Sequence, residues 1–384
     1  MKFIHTSDWQ IGMNFGFLKE KSRNLMADAR LAAINRIAEI ANDESRGIDF
    51  VLVAGDLFDT PRVSEANIKL VMRNIRKIKK PVYVLAGNHE WNGNEYIYDN
   101  PAFLENKESN FILLEPGINV IGDDYEIIAA PLQGKQENFD VVTEQLNKLV
   151  PSGKTRILAA HGQPDSFISV IEREDKISSA AIKQALESGL IHYVALGDTH
   201  SMEIVDGDPR IRYSGAPEPT SFREPSPGYI LIVDMKDKFN IRVEPLEIAT
   251  WKLKRIGTPQ KFEQLREAEH LTRLKNMVEE LDNPSRTAIK IYLDSELDLE
   301  QEMLRQELFR EWDEDILGGF AISKRSKSPV VKIDPINEPE PTELTGYMLS
   351  AYRELRDSYA ADPDHNIAER EALRLLLKYT GIVR

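Results

Sequence analysis

Short polar motifs directly follow apolar, β-branched segments in the first half of the chain. The apolar segments at residues 3–5, 50–53, 82–85 and 193–196 predict buried strands, because a short apolar run that ends in a turn is typical of one. The motifs are Asp8-Trp9-Gln10, Gly55-Asp56, Gly87-Asn88-His89-Glu90, His161-Gly162 and Gly197-Asp198-Thr199-His200. Open α/β folds carry their sites at the carboxyl ends of strands, so we expect these side chains to meet at one edge of a sheet.

The side chains in these motifs suit a pair of divalent metal ions. Carboxylate, amide and imidazole groups favour hard-to-borderline ions, and in a chain without cysteine manganese is a better candidate than zinc. Asp56 is the expected bridge, since a carboxylate has two oxygens and paired ions lie roughly 3.5–4 Å apart. The expected ligands are Asp8, Gln10 and His200 for the first ion, and Asn88, His161 and Asp198 for the second.

Two metal ions at such a site would support phosphoester hydrolysis. They would neutralise the phosphate, lower the pKa of a bound water and fix in-line attack. His89 lies beside the expected ligand Asn88 and could donate a hydrogen bond to a phosphoryl or leaving oxygen. We therefore predict a metallophosphoesterase with His89 as its catalytic residue.

Each motif also has a purely structural interpretation. Gly-Asp after a strand is common turn chemistry, which could account for Asp56 and Asp198, and Asp8 could cap a strand end. A lone His161 could be a buried, hydrogen-bonded histidine. The ordered combination favours the metal site, since three of the seven histidines in the chain fall in these motifs.

Composition constrains the substrate and the environment. The chain has 384 residues, 41% hydrophobic and 29% charged, which is ordinary for a globular protein. Its net charge of −14 argues against simple electrostatic adhesion to DNA or to anionic lipid. A nucleic-acid substrate would therefore need local basic patches, metal ions or a partner. The lack of cysteine, of a membrane-length apolar run and of a cleavable signal predicts a cytoplasmic protein that does not bind membranes.

The pattern of apolar segments predicts several parts. Residues 1–249 alternate strand and helix, with middle strands too closely spaced for crossover helices, which favours a mixed α/β sandwich over a doubly wound sheet. Residues 250–333 predict a small βαβαβ domain with helices at 259–281 and 298–312. Residues 334–343 form an acidic, proline-rich linker. Residues 344–384 predict two short helices whose leucines could be core or a partner surface.

The motif series resembles the calcineurin-like metallophosphoesterases. Within that family it is most similar to the branch of the SbcD nuclease and its archaeal and eukaryotic double-strand-break-repair counterparts. Two further segments favour that branch. They are the opening Phe3-Ile4-His5-Thr6-Ser7-Asp8-Trp9 and the segment Tyr213-Ser214-Gly215-Ala216-Pro217-Glu218, which resembles the family's tyrosine–proline–glycine–serine segment. The resemblance is specific over residues 1–235 and architectural beyond them.

The resemblance implies an α/β fold: a β-sandwich flanked by helices, a small α/β capping domain that contacts DNA, and C-terminal helices that dock on an SbcC-type coiled-coil ATPase. It also implies a homodimer, and it makes Asp8, Asp56, Asn88, His161 and His200 metal ligands and His89 the catalytic histidine. Where Gln10 and Asp198 stand, the family usually has histidine. Asp198 can still bind a metal and would favour a harder ion, whereas Gln10 offers one neutral carbonyl oxygen.

Basic residues are the candidates for DNA contact. The cluster Lys324-Arg325-Ser326-Lys327 lies between predicted elements of the second domain, and Arg62 follows the Asp56 motif. Exposed basic residues of this kind could equally form a solvated loop.

We expect a manganese-dependent DNA exonuclease and endonuclease that hydrolyses phosphodiester bonds with metal-activated water in DNA end processing. One alternative is a phosphoesterase that acts on cyclic nucleotides or other small phosphoesters. A second alternative, of another class, is a scaffold subunit whose metal site Gln10 and Asp198 have weakened.

Overall fold

A computed structural model describes residues 1–132, 140–167, 176–332, 340–363 and 365–380. The chain forms two compact units, Met1–Lys252 and Leu253–Arg384. Most of the predicted linker, residues 334–339, lies outside the described residues, as does residue 333 at the end of the predicted capping domain. The roles predicted for the parts beyond residue 249 stay predictions.

The first unit is built on two large sheets. Its strands are β1 Lys2–Thr6, β2 Phe50–Ala54, β3 Val82–Leu85, β4 Phe111–Leu113, β5 Gly117–Val120, β6 Tyr125–Ala130, β7 Thr155–His161, β8 Gln163–Pro164, β9 Lys176–Ile177, β10 Tyr193–Gly197, β11 Glu203–Ile204, β12 Ile211–Tyr213, β13 Tyr229–Met235 and β14 Ile241–Glu247. The first sheet has the order β14-β13-β1-β2-β3-β4 and the second the order β11-β12-β10-β7-β6-β5. Strands β1 to β3 pair in parallel, as do β6, β7 and β10.

Helices cover the outer faces of both sheets. They are α1 Glu20–Asn42, α2 Glu65–Ile75, α3 Pro101–Asn106, α4 Val141–Asn147 and α5 Ser179–Glu187. Helix α2 begins where Ser64 caps it, with the Ser64 side chain accepting a hydrogen bond from the Asn67 backbone N–H. Its buried residues Ile68, Val71 and Ile75 recur at helical spacing, so one face packs on the first sheet.

Alternating side chains of the strands divide the core into layers. On β2, Val51 packs into the outer core with α1 and α2, whereas Leu52 faces the second sheet. On β7, Leu158 packs into the outer core with α4 and α5, whereas Ile157 faces the first sheet. The layer order is therefore helix, sheet, sheet, helix, which confirms the predicted α/β sandwich flanked by helices.

The described residues of the second unit, together with Lys252 at its boundary, form two three-stranded sheets and four α-helices. Its elements are β15 Lys252–Ile256, β16 Glu263–Leu265, α6 Ala268–Glu279, β17 Thr287–Ile291, β18 Leu293–Asp298, α7 Leu299–Glu311, β19 Gly319–Ile322, β20 Val330–Lys332, α8 Gly346–Ala361 and α9 Ile367–Tyr379. The sheet orders are β15-β17-β19 and β16-β18-β20.

The predicted βαβαβ pattern is wrong in two respects. The helix expected at residues 259–281 begins only at Ala268, because Glu263–Leu265 pairs in parallel with β18. Strands β18 and β19 were not predicted at all. Strand β18 alternates buried and half-buried residues, but polar side chains occupy several of those positions, so it lacks an apolar run.

The leucines of the last helix are partly accounted for by packing within the second unit. Leu373 and Leu377 are fully buried in a small core with Val331, Leu344 and Tyr352.

Nowhere in the described part of the chain is a helix both long and apolar enough to cross a bilayer.

His5 is a buried histidine between the two sheets of the first unit. Its Nδ1 lies 3.1 Å from the Tyr193 hydroxyl and its Nε2 lies 3.2 Å from the Leu196 carbonyl oxygen. The carbonyl can only accept, so Nε2 carries the proton and Nδ1 accepts from the tyrosine. Burial lowers the pKa of His5 to about 3, and the nearby Arg212 adds to this effect.

This lowered pKa makes folding depend on pH. Below the ordinary histidine pKa of 6.5, His5 takes up a proton in the unfolded chain. In the folded chain His5 stays neutral until the pH falls to about 3. Stability is therefore lost as the pH falls through this window, by at most about 1.4 kcal/mol per pH unit from this residue. We expect His5→Gln to flatten the pH dependence of the free energy of unfolding, measured by urea denaturation. The exposed His365→Gln serves as control, and parallel curves for wild type and His5→Gln would contradict the assignment.

Candidate metal centre

The predicted ligands lie where strands of both sheets end. Asp8 and Gln10 follow β1, Asp56 follows β2, His161 ends β7, and the remaining three follow β3 or β10: Asn88, Asp198 and His200. One ligand atom each of Asp8, Asp56 and His161 lies within 4.8 Å of the others, and all three residues are buried. The parallel strands thus bring residues more than 150 positions apart in sequence to one cluster.

Short contacts connect the other predicted residues to this buried trio. Asn88 Oδ1 lies 3.0 Å from His161 Nε2, and His161 Nε2 lies 3.3 Å from Asp56 Oδ1. His200 Nε2 lies 3.8 Å from Asp8 Oδ1. Asn88 and His200 therefore lie in the same cluster as Asp8, Asp56 and His161.

The two positions that depart from the family pattern also belong to this site. The Asp198 backbone N–H donates to Asp8 Oδ1 over 3.1 Å. The Gln10 side-chain amide donates from Nε2 to Asp56 Oδ2 over 2.9 Å. For Gln10 to bind a metal, its carboxamide must turn so that its oxygen replaces the nitrogen at this position.

The backbone is strained at the predicted ligands. Within the described ranges, five non-glycine residues have positive φ, and four of them are Asp8 (54°), Gln10 (49°), Asp56 (54°) and Asp198 (98°). Each such residue lowers the stability of the folded chain by on the order of 1–3 kcal/mol. Such strain persists where the surrounding structure enforces it, often at functional sites. The left-handed backbone turns these side chains toward the cluster immediately after the strands end.

Glycines let the motif loops approach the cluster closely. Gly55 has φ of +94°, and a Cβ there would overlap the ring of His161. A Cβ at Gly87 would overlap the Asp56 carboxylate. Both glycines are thus required by space, and Gly55 is required by its conformation as well.

Three histidines direct the same ring nitrogen into the site. His161 donates from Nδ1 to the Ala54 carbonyl oxygen over 2.9 Å, and His89 donates from Nδ1 to the Asp59 carbonyl oxygen over 2.7 Å. His200 Nδ1 faces side-chain oxygens of Thr220 and Glu224. Nε2 of each ring is left to face a carboxylate, which is the arrangement metal-binding histidines usually have.

The electrostatics of the cluster favour positive charge at its centre. Burial raises the pKa of Asp8, although nearby histidines oppose this. Burial opposes protonation of His161, but the carboxylates of Asp56 and Asp8 outweigh it and raise the pKa of His161 well above its ordinary value. Burial also acts to raise the pKa of Asp56, yet the charge of His161 outweighs it and lowers that pKa. Buried carboxylates at this density need paired positive charge. Oxygen and imidazole donors in this arrangement fit divalent metal ions.

One side of the cluster is open. The His89 side chain is 40% exposed and its Nε2 lies 3.8 Å from Asp56 Oδ2. Burial opposes its protonation, but the carboxylates of Asp56 and Asp59 raise the pKa of His89. His89 can therefore carry a proton at the rim, where a bound phosphoester would approach.

Glu90 supports the site in a way the sequence did not indicate. Its buried carboxylate accepts backbone N–H groups of Gly87 (2.7 Å), Phe58 (2.8 Å) and Asp56 (3.1 Å). It thereby joins the loop after β2 to the loop after β3. Burial and the neighbouring Asp56 charge raise the pKa of Glu90 to about 8, against the effect of these N–H groups. Its place in the Gly87–Glu90 motif was the only sequence signal.

The basic residues predicted to contact DNA lie outside the cluster. The Arg62 side chain is 72% exposed and pairs with Glu95 over 2.6 Å. Lys324, Arg325 and Lys327 are exposed on the second unit. Lys327 pairs with Asp294 over 2.7 Å. The structure thus leaves the DNA-binding roles of these residues as predictions.

The fold and the buried cluster are those of a metal-dependent phosphoesterase. The chain belongs to the calcineurin-like phosphoesterase family, whose family model matches residues 1–202. The chain is therefore a hydrolase of a family that uses divalent metal ions.

The similarity of the chain to individual proteins is low in sequence identity. The chain is 26% identical over 260 residues to the SbcD subunit of the SbcCD nuclease of Escherichia coli K12, an alignment that covers 58% of this chain and 62% of the relative. It is 23% identical over 275 residues to the SbcD subunit of the SbcCD nuclease of Staphylococcus epidermidis, which covers 64% of this chain and 70% of the relative. The chain thus spans less than two thirds of the E. coli relative. A solved structure, TT1561 of Thermus thermophilus, aligns with a TM-score of 0.38 and 12% identity over 64% of this chain and 98% of that one.

The three N–H groups held by Glu90 give a prediction about stability. Glu90→Ala leaves them buried without an acceptor, which we expect to lower the free energy of unfolding by about 2–4 kcal/mol. The matched control is Glu95→Ala, which removes an exposed glutamate from the following loop and should stay close to wild type. Urea denaturation of both variants checks this, and equal stability of the two would contradict the role of Glu90.

Proposed function

We propose that this chain is a metal-dependent DNA nuclease that hydrolyses phosphodiester bonds as part of DNA end processing and double-strand-break repair. The observation that carries the proposal is the buried Asp8–Asp56–His161 cluster, open on the side where His89 is exposed. Such a site can accept a phosphodiester within a chain whose flanking nucleotides remain outside. The relatives are named as subunits of a nuclease, SbcCD, which supports a nucleic acid as the substrate.

The residues of the cluster would divide between two metal ions. Asp8, Gln10 and His200 would hold one ion and Asn88, His161 and Asp198 the other, with Asp56 between them. Bound ions would supply Lewis-acid polarisation of the phosphate and a lowered pKa for the attacking water. Because the ligand set is rich in oxygen and Asp198 adds negative charge, manganese is the preferred ion.

His89 acts on the substrate itself in this proposal. Its Nδ1 is fixed by the Asp59 carbonyl oxygen, so its Nε2–H can donate to a non-bridging oxygen or to the leaving oxygen. The carboxylates of Asp56 and Asp59 raise the pKa of His89, which favours the protonated ring that this donation needs. Its half-exposed position places it between the cluster and the solvent.

The acidic charge of the chain has to be overcome for DNA to bind. The net charge is −14, so attraction must come from local patches or a partner. The exposed Lys324 and Arg325 of the second unit, together with Lys327, are the proposed DNA contacts there, and Arg62 is one near the cluster. An SbcC-type coiled-coil ATPase would supply further basic surface.

The last two helices are the proposed docking site for that ATPase. Leu373 and Leu377 are buried within the unit, so they are not available to a partner. Tyr347 (76% exposed), Ile367 (69%) and Tyr379 (84%) remain on the surface of α8 and α9. A cytoplasmic homodimer complexed with the ATPase is the assembly we propose.

A nuclease assay tests the proposal. End-labelled duplex and single-stranded DNA are incubated with manganese, magnesium or a chelator. We expect manganese-dependent degradation by the wild-type chain, and a loss of at least about 100-fold in Asp56→Asn because the shared ligand is weakened. His89→Asn should lose about 10²–10⁴-fold in rate while its manganese affinity stays at the wild-type value. The exposed Asp123→Asn serves as the matched control.

Other outcomes distinguish the alternatives. Hydrolysis of a small chromogenic phosphodiester without action on DNA would contradict the nuclease and favour a phosphoesterase for cyclic nucleotides or other small phosphoesters. A folded chain that binds no manganese would contradict both and favour the scaffold role.

A further inference from the structure

Glu224 lies against the back of His200, on the side away from the cluster. Glu224 Oε1 is 3.1 Å from His200 Nδ1, and the Thr220 hydroxyl oxygen is 2.6 Å from the same nitrogen. The Thr220 hydroxyl donates to Glu224 Oε1, and the Thr220 backbone N–H donates to Glu224 Oε2 over 2.9 Å. The Glu224 side chain is only 9% exposed, so water does not compete freely for these contacts.

This network determines which nitrogen of His200 carries a proton. A carboxylate only accepts hydrogen bonds, so Glu224 takes the hydroxyl hydrogen of Thr220. The threonine oxygen then has only lone pairs to offer to His200 Nδ1, and Nδ1 must donate. The other nitrogen, Nε2, faces Asp8 Oδ1 at 3.8 Å, and in the neutral ring it keeps the lone pair.

We propose that Glu224 is a positioning residue that holds His200 in the Nδ1–H form, with Nε2 directed at the metal cluster. The other two histidines of the site use backbone carbonyl oxygens for this purpose, Ala54 for His161 and Asp59 for His89. A carboxylate behind the ring raises the basicity of the ligand nitrogen more than a neutral carbonyl does. The more basic nitrogen of His200 would compensate for the weak metal binding of Gln10, the neutral ligand expected at the same ion. The inference rests on the metal role proposed above for His200.

A merely structural role for Glu224 is the competing explanation. Its carboxylate closes the turn from Thr220 to Glu224, and that contact alone would stabilise the segment. The substitution Glu224→Gln separates the two roles. The new carboxamide keeps the shape of the carboxylate, but one acceptor oxygen is replaced by a donor nitrogen. If the new carbonyl oxygen still accepts the hydrogen bond from the Thr220 backbone N–H, the new amide nitrogen faces the Thr220 hydroxyl and His200. That hydroxyl then donates to Nδ1, and the proton of the ring moves to Nε2.

The first readout is the tautomer of His200 in the chelator-treated full chain. Long-range ¹H–¹⁵N spectra of histidine-labelled protein report it, and the signal missing from a His200→Gln sample identifies the residue. We expect Nδ1–H in wild type and Nε2–H in Glu224→Gln. The second readout is Mn²⁺ affinity by titration calorimetry, which should weaken about 10–100-fold in Glu224→Gln.

Two further variants make the experiment decisive. Glu244→Gln makes the same chemical change at an exposed position of β14 and should leave both readouts at wild-type values. Thr220→Val keeps the carboxylate, so it should keep the Nδ1–H form; it also tests the proposal if Glu224→Gln does not fold. Loss of that form in Thr220→Val would assign the role to the threonine and overturn the proposal.

The remaining outcomes separate this inference from the proposed function. Wild-type tautomer and wild-type Mn²⁺ affinity in Glu224→Gln would overturn the positioning role, even if the melting temperature falls. A wild-type chain that binds no Mn²⁺ would overturn the proposed function and the metal part of this inference together.

Discussion

The buried pairing of the Asp56 and Asp8 carboxylates with His161 is the interaction on which the rest of the site depends. Carboxylates removed from water at this spacing repel each other and are costly unless positive charge is held between them. The strained backbone after β1, β2 and β10, the glycines at the loops and the carboxylate of Glu90 all hold this arrangement in place. The fold thus maintains a site that is electrostatically incomplete without a cation or a proton.

The proposed metal ligands and the proposed catalytic histidine lie at different depths below the surface of the site. Asp8, Asp56 and His161 form a floor that is buried among the strand ends, whereas His89 and His200 stand at the rim with 40% and 26% of their side chains exposed. Ions held at the floor would keep their ligands rigid, while His89 stays accessible from the solvent.

Much of the site could be predicted because each proposed ligand lies at the end of a strand or within a few residues after it. A buried strand such as Phe50–Ala54 and its Gly-Asp turn are visible in one short stretch of sequence. Supporting residues such as Glu224 were missed because their partners are set by tertiary structure: Glu224 is 24 positions from His200 and lies in no motif. Strands β16 and β18 were missed for a similar reason, since their mutual pairing outweighs a polar local sequence.

Anomalous diffraction from crystals soaked in Mn²⁺ tests the central claim most directly, because it locates ions without relying on activity. We expect two peaks roughly 3.5–4 Å apart that both contact the carboxylate of Asp56. One peak should contact Asp8 and His200, and the other should contact His161 and Asn88. A cluster without a peak, or a single ion that leaves Asp56 unbound, would contradict the two-metal site and the mechanism built on it.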